Sequence, residues 1–213
     1  MRNSVFSVFI LAASCFVFCG GCLSVPNSPA PEFYTLFPSD EFGKTNEIAL
    51  SREIIVGIGP VEIPEYQNRP QIVTQDKNGM LNFAQFQRWG EPLDSGLARV
   101  ILRNVSEILP QAEFQMFPCS FIIPLDYQVM VNILQLESRL DGDVFMVVQW
   151  TIVDFKNKQV LFAKKSEFRQ AAEPRGYPGI VRALSRESAS LSEEIAQNIA
   201  IIANRNPEKN NAE

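Results

Sequence analysis

Three runs decide the fold: Tyr127-Gln128-Val129-Met130-Val131-Asn132-Ile133, then Val144-Phe145-Met146-Val147-Val148-Gln149-Trp150-Thr151-Ile152, then Gln159-Val160-Leu161-Phe162-Ala163-Lys164-Lys165-Ser166-Glu167-Phe168. In the first, Tyr127, Val129, Val131 and Ile133 recur at every second residue. In the second, Val144, Met146, Val148, Trp150 and Ile152 do the same. A period of two in β-branched and aromatic residues puts one face of a strand against a core. Asp141-Gly142 and Lys156-Asn157-Lys158 supply the turns between them. The stretch 125–168 therefore reads as a three-stranded antiparallel meander.

Moving toward the N-terminus, Ile54, Val56, Ile58 and Val61 mark another strand within 53–63. Its Gly57-Ile58-Gly59-Pro60 lacks the third Gly, the following helix and the Lys of a phosphate-binding loop. A bulge or a close backbone approach explains it better. Asn78-Gly79 lies between 71–75 and 80–83 and predicts a hairpin, since both turn residues tolerate positive φ. Phe33 to Phe37 reads as a short edge strand, and 39–51 as a loop.

Two helices are predicted. Glu91-Pro92 opens the first, with Pro at the first helical position, where its missing N–H costs nothing. Leu93, Leu97, Val100, Ile101, Val105 and Ile108 form one stripe, and Pro110 ends it. Asn104-Val105-Ser106 spells a glycosylation sequon inside this helix and is read as chance. Tyr177-Pro178-Gly179 precedes a long second helix with the stripe Ile180, Leu184, Leu191, Ile195, Ile199 and Ile202. The tail 204–213 is polar and expected to fray. The fold class is α+β: a mostly antiparallel sheet, with two amphipathic helices burying their stripes on one face.

The chain has 213 residues, is 46% hydrophobic, carries a formal charge of −5 and contains no His. Such a balance fits one globular domain and gives no concentrated basic face for nucleic acid. The missing His removes the Ser-His-Asp triad, the Cys-His dyad and the His-based zinc sites. The commonest general base is absent with it. No enzyme, metal or cofactor is expected.

Three of the four Cys, at 15, 19 and 22, sit in the first 22 residues, and Cys119 stands alone. Arg2, an apolar run from Val5 to Phe18, and Gly20-Gly21-Cys22 describe a secretory signal too short to span a bilayer. The small residues before Cys22 resemble a bacterial lipoprotein signal. In that family the Cys becomes the mature N-terminus and is acylated, palmitate included. Residues 1–21 are thus read as signal peptide, Cys22 as the lipidation site and 22–32, rich in Pro and Ser, as a tether. Residues 33–203 are the domain. Leu23, rather than Asp, follows the Cys, which in such families points to the outer membrane.

One segment is unusually dense in aromatic residues and Arg: Ile63-Pro64-Glu65-Tyr66-Gln67-Asn68-Arg69-Pro70-Gln71-Ile72-Val73, then Phe83, Phe86 and Arg88-Trp89-Gly90-Glu91-Pro92-Leu93. Tyr, Trp and Arg dominate binding hot spots. The same aromatics could equally close the core, with Arg69 and Glu91 as local capping charges. The double motif resembles the ABC-type transport auxiliary lipoprotein family, whose members include the PqiC and YmbA-like lipoproteins. The resemblance covers about 33–203, with Gly90 and Gln67 as small departures. It implies a lipid-anchored outer-membrane protein facing the periplasm. It further implies an MCE (mammalian cell entry) domain partner in intermembrane lipid transport, and ring-shaped homo-oligomers.

On that reading Tyr66, Arg69, Pro70, Phe83, Phe86, Arg88 and Trp89 are the candidate partner-binding residues; contact with lipid stays open. Two alternatives stand beside it. One is an unrelated envelope-assembly lipoprotein, which an adjacent permease, ATPase and MCE gene would disfavour. The other is a lipid or cell-wall hydrolase using two of Glu62, Glu65, Asp76 and Glu91 with split pKa values.

Overall fold

The computed structural model of the chain describes residues 29–38, 46–118 and 124–205. The predicted signal segment, Cys22, most of the predicted tether, Cys119 and the tail beyond Arg205 lie outside the described residues. In chain order the elements are β1 (Glu32–Tyr34), β2 (Ile54–Glu62), β3 (Gln71–Gln75), β4 (Leu81–Trp89), α1 (Leu93–Ile108), β5 (Ala112–Met116), β6 (Tyr127–Ser138), β7 (Asp143–Asp154), β8 (Gln159–Ala171) and α2 (Tyr177–Arg205). A 3-10 turn at Glu65–Gln67 sits between β2 and β3.

The meander is present as expected: β6 pairs with β7 and β7 with β8, both antiparallel. Val129 faces Ile152, Val131 faces Trp150 and Ile133 faces Val148, so the alternating residues share one face. After Ile133 the register slips, and Leu134 is left 47% exposed. That extra residue inverts the alternation. Leu136 and Ser138 return to the interior, where an unbroken period would have put Gln135 and Glu137.

The α+β class holds, but the strands divide into two sheets. β2 joins β6 in parallel on one side and β5 in parallel on the other, giving the order β5–β2–β6–β7–β8. The Asn78-Gly79 hairpin forms, though of its two residues Gly79 alone takes a positive φ (85°), and β3 and β4 belong to a separate sheet ordered β1–β4–β3. In that sheet β1 runs parallel to β4. Parallel partners are joined by long crossovers and leave no turn signal in the sequence.

Both helical stripes enter one core, with Leu97, Val100, Ile101 and Val105 of α1 and Ile180, Leu184, Leu191, Ile195 and Ile199 of α2 packed with Val56, Ile58, Val129 and Trp150. α1 begins at Leu93, so Pro92 is its N-cap rather than its first helical residue. α2 continues through Arg205. Asn204 is tied down, accepting the Ser51 amide at 2.8 Å and donating to Ala49 O at 3.3 Å. Where α2 meets α1 it presents Ser188 and Ser192, whose hydroxyls return to the carbonyls of Leu184 and Ser188. The sequon's Asn104 is fully buried and donates to Ser192 Oγ at 3.4 Å.

Gly59 resolves the Gly-rich stretch of β2. Its φ is +122°, and a Cβ there would lie 2.3 Å from the Phe117 carbonyl oxygen. The register between β2 and β6 slips between Ile58 and Val61, so this is a bulge with a close backbone approach. Gly59→Ala should therefore destabilise the fold by more than about 2 kcal/mol in chemical denaturation. A variant within 0.5 kcal/mol of the parent would refute this account.

Glu187 of α2 is the unusual interior residue. It is fully buried, and neither carboxylate oxygen finds a hydrogen-bond partner among the described residues. Desolvation pushes its pKa up from 4.5 to about 9, against smaller opposing influences from the Gln170 amide and the Arg169 guanidinium. Between pH 4.5 and about 9 the folded chain holds a proton that the unfolded chain has released. The contribution is thus complete below 4.5, declines with rising pH and is gone above about 9. Glu187→Gln should flatten the fall of Tm between pH 5 and pH 9; an unchanged slope would rule out this residue as its source.

Candidate functional site

β4 is irregular, and its irregularity builds a surface. Gln71 of β3 lies opposite Arg88, but Val73, two residues on, lies opposite Phe83. Two steps on β3 thus match five on β4. In a regular strand Phe83 and Arg88 would point to opposite faces. Here both share the face of Gln71 and Val73, and Ala84 and Trp89 both point into the core. Phe33 of β1 is paired with Arg88 and joins the same outward face, 64% exposed.

Arg69 closes over this face. Its Nε donates to the Tyr66 carbonyl at 3.0 Å, and its guanidinium lies 4.1 Å from the centre of the Phe83 ring. Phe83 is 49% exposed, whereas Val73 opposite it is only 2% exposed. Stacking on a ring leaves the edge of an Arg fork available to an acceptor. Pro70 is exposed, and its carbonyl accepts the Trp89 amide at 2.7 Å. Phe86 sits half-buried in the irregular stretch.

Two predicted contact residues lie behind the surface. Trp89 is 7% exposed and belongs to the core, with Nε1 unpartnered among the described residues. Tyr66 is half-buried. Its hydroxyl donates to Leu136 O at 3.1 Å and accepts from Leu136 N at 3.2 Å, while Gln67 Nε2 donates to the same carbonyl at 3.0 Å. These bonds fasten the 3-10 turn, and with it Arg69, to β6. The aromatic segment thus divides: Tyr66 and Trp89 are supports, whereas Arg69, Pro70, Phe83 and Arg88 face outward. Phe33 escaped the sequence reading because its neighbour Arg88 is 55 positions away along a parallel pairing that no turn announces.

Two of the four carboxylates considered for hydrolysis are otherwise engaged. Asp76 accepts the Asn78 and Met80 amides in the hairpin turn, and Glu91 pairs with Arg99 at 2.6 Å. Glu62 and Glu65 are exposed. Among the described residues no group of His, Cys, Asp and Glu could hold a metal ion, and no helix is long and apolar enough to cross a membrane.

The division into face and support is open to measurement. Trp89→Ala should cost about 3–5 kcal/mol of stability, as removal of a core aromatic does. Tyr66→Phe should cost about 1–3 kcal/mol, because the Leu136 amide loses its acceptor. Phe83→Ala should leave the unfolding midpoint within about 0.5 kcal/mol of the parent, and a larger loss there would make Phe83 a support as well.

No curated protein matches the chain. Its fold matches a crystal structure of an uncharacterized protein at TM-score 0.65 and 21% identity, covering 80% of this chain and 99% of that one. It also matches protein XCC0632 from Xanthomonas campestris at TM-score 0.66 and 10% identity, covering 80% and 95%. At these identities the likeness is one of fold. The model of one family, described as the ABC-type transport auxiliary lipoprotein component, matches residues 34–196, from the last residue of β1 into α2. The chain belongs to the ABC-type transport auxiliary lipoprotein family.

Proposed function

We propose that this protein is the periplasm-facing auxiliary component of an MCE-type ABC transport system, and that it docks the MCE-domain partner at the outer membrane. The observation that carries the reading is the family match over 34–196, which takes in the motif from Ile63 to Val73 and the Arg88-to-Leu93 run. Cys22, directly after Gly20-Gly21, is the acylated residue in this reading, and Leu23 directs sorting to the outer membrane. Two or more acyl chains give stable anchoring, where one is marginal. The docking contact is made by the outward face of β1–β4–β3, through Arg69, Pro70, Phe83 and Arg88, with Phe86 at its irregular stretch and Tyr66 and Trp89 behind. Self-association into a ring belongs to the same reading, and the protein performs no chemistry of its own.

Three experiments test it. Cys22→Ser should move the protein from the membrane fraction to the soluble fraction. On a density gradient, the parent should travel with outer-membrane markers; co-migration with inner-membrane markers would overturn the localisation. Phe83→Ala should abolish pull-down of the MCE-domain partner while circular dichroism stays unchanged, and full pull-down by the folded variant would remove this face from the docking role.

A further inference from the structure

The outward face of β1–β4–β3 has a one-sided chemistry. By register its positions are Phe33 on β1, Leu81, Phe83 and Arg88 on β4, and Gln71, Val73 and Gln75 on β3. None is acidic, although the chain as a whole carries −5. Neither Arg69 nor Arg88 makes an ion pair with a carboxylate among the described residues, whereas Arg52, Arg99, Arg103, Arg139 and Arg169 each do. Three nearby carboxylates are committed elsewhere, and the exposed Glu65, four residues before Arg69, makes no ion pair with it among the described residues. Glu32 accepts from Tyr34 at 2.7 Å and from Gln87 at 3.3 Å, Asp76 holds the hairpin turn, and Glu91 is taken by Arg99.

Arg69 is also held in place before any partner arrives. One nitrogen is fixed to the Tyr66 carbonyl, its plane rests on Phe83, and Tyr66 is itself fastened to β6. An Arg held this way loses little conformational freedom when it accepts a carboxylate, and its fork suits bidentate pairing. Exposed Phe33 and Phe83 flank the two cations with apolar surface.

We infer that the partner's contacting segment is acidic and apolar: it presents carboxylates to Arg69 and Arg88, and apolar side chains to Phe33 and Phe83. The inference rests on the docking reading above and adds the chemistry of the occupant. Opposite charge across the contact accelerates encounter and makes binding depend on salt, while the apolar flanks slow release.

The test uses the mature protein and the periplasmic domain of its MCE-type partner, with binding followed by biolayer interferometry at 50 and 500 mM salt. Affinity should fall at least tenfold over that range. Arg69→Gln and Arg88→Gln should each weaken binding roughly tenfold at low salt, in the range of interfacial Arg hot spots. Arg175→Gln, exposed but off this face, should leave binding unchanged. Both face variants should also show a smaller salt dependence than the parent. Binding that ignores salt and both substitutions, yet disappears with Phe83→Ala, overturns the acidic partner and leaves the docking reading standing. Absence of binding by the parent protein overturns the docking reading itself. Binding of the mature protein to phosphatidylglycerol vesicles that is lost in both Arg variants, with partner binding intact, assigns the face to lipid headgroups and overturns the inference.

Discussion

Everything in this domain takes its position from β6. One edge of the strand accepts β2 in parallel and the other accepts β7 antiparallel, so two kinds of pairing meet along a single backbone. Its slip after Ile133 turns Leu136 inward, and the backbone of that residue receives both Tyr66 and Gln67. Through these bonds the smaller sheet is fixed to the larger. The pairing of β2 with β6 ends at Asn132, so the Leu136 amide and carbonyl have no strand partner on that edge and must find others, because a buried unpaired amide costs about 1–3 kcal/mol. The tyrosine answers that requirement and, in doing so, sets the height of Arg69 above its own sheet.

What could be read in advance follows from how far apart the interacting residues lie. The meander, the Asn78-Gly79 hairpin and both helical stripes are local patterns, and all appear where the periodicity put them. Parallel pairing is non-local: β5 contributes only Ala112 and Phe114 as partly buried apolar residues, and β1 is three residues long. Neither offers a pattern long enough to name its partner. The candidate site was legible as composition and not as geometry. Alternation along β4 would have opposed Phe83 to Arg88, and only the mismatch with β3 brings them to one side.

The site illustrates how a family motif can mix two duties. Tyr66 and Trp89 stand in the same motif as Arg69 and Arg88, yet the first two build the platform and the second two project from it. A motif of this kind constrains the core and the exposed face together, so substitution at its most prominent aromatic reports on stability.

Glu187 adds a proton to the inventory of the folded state. The formal charge of −5 counts its carboxyl as ionised, while the folded interior keeps it neutral at pH 7. Folding at neutral pH is therefore coupled to the uptake of a proton from the medium, and the native protein is one unit less negative than its composition states. A chain that folds after crossing into a compartment open to the outside acidity would have this step tied directly to external pH.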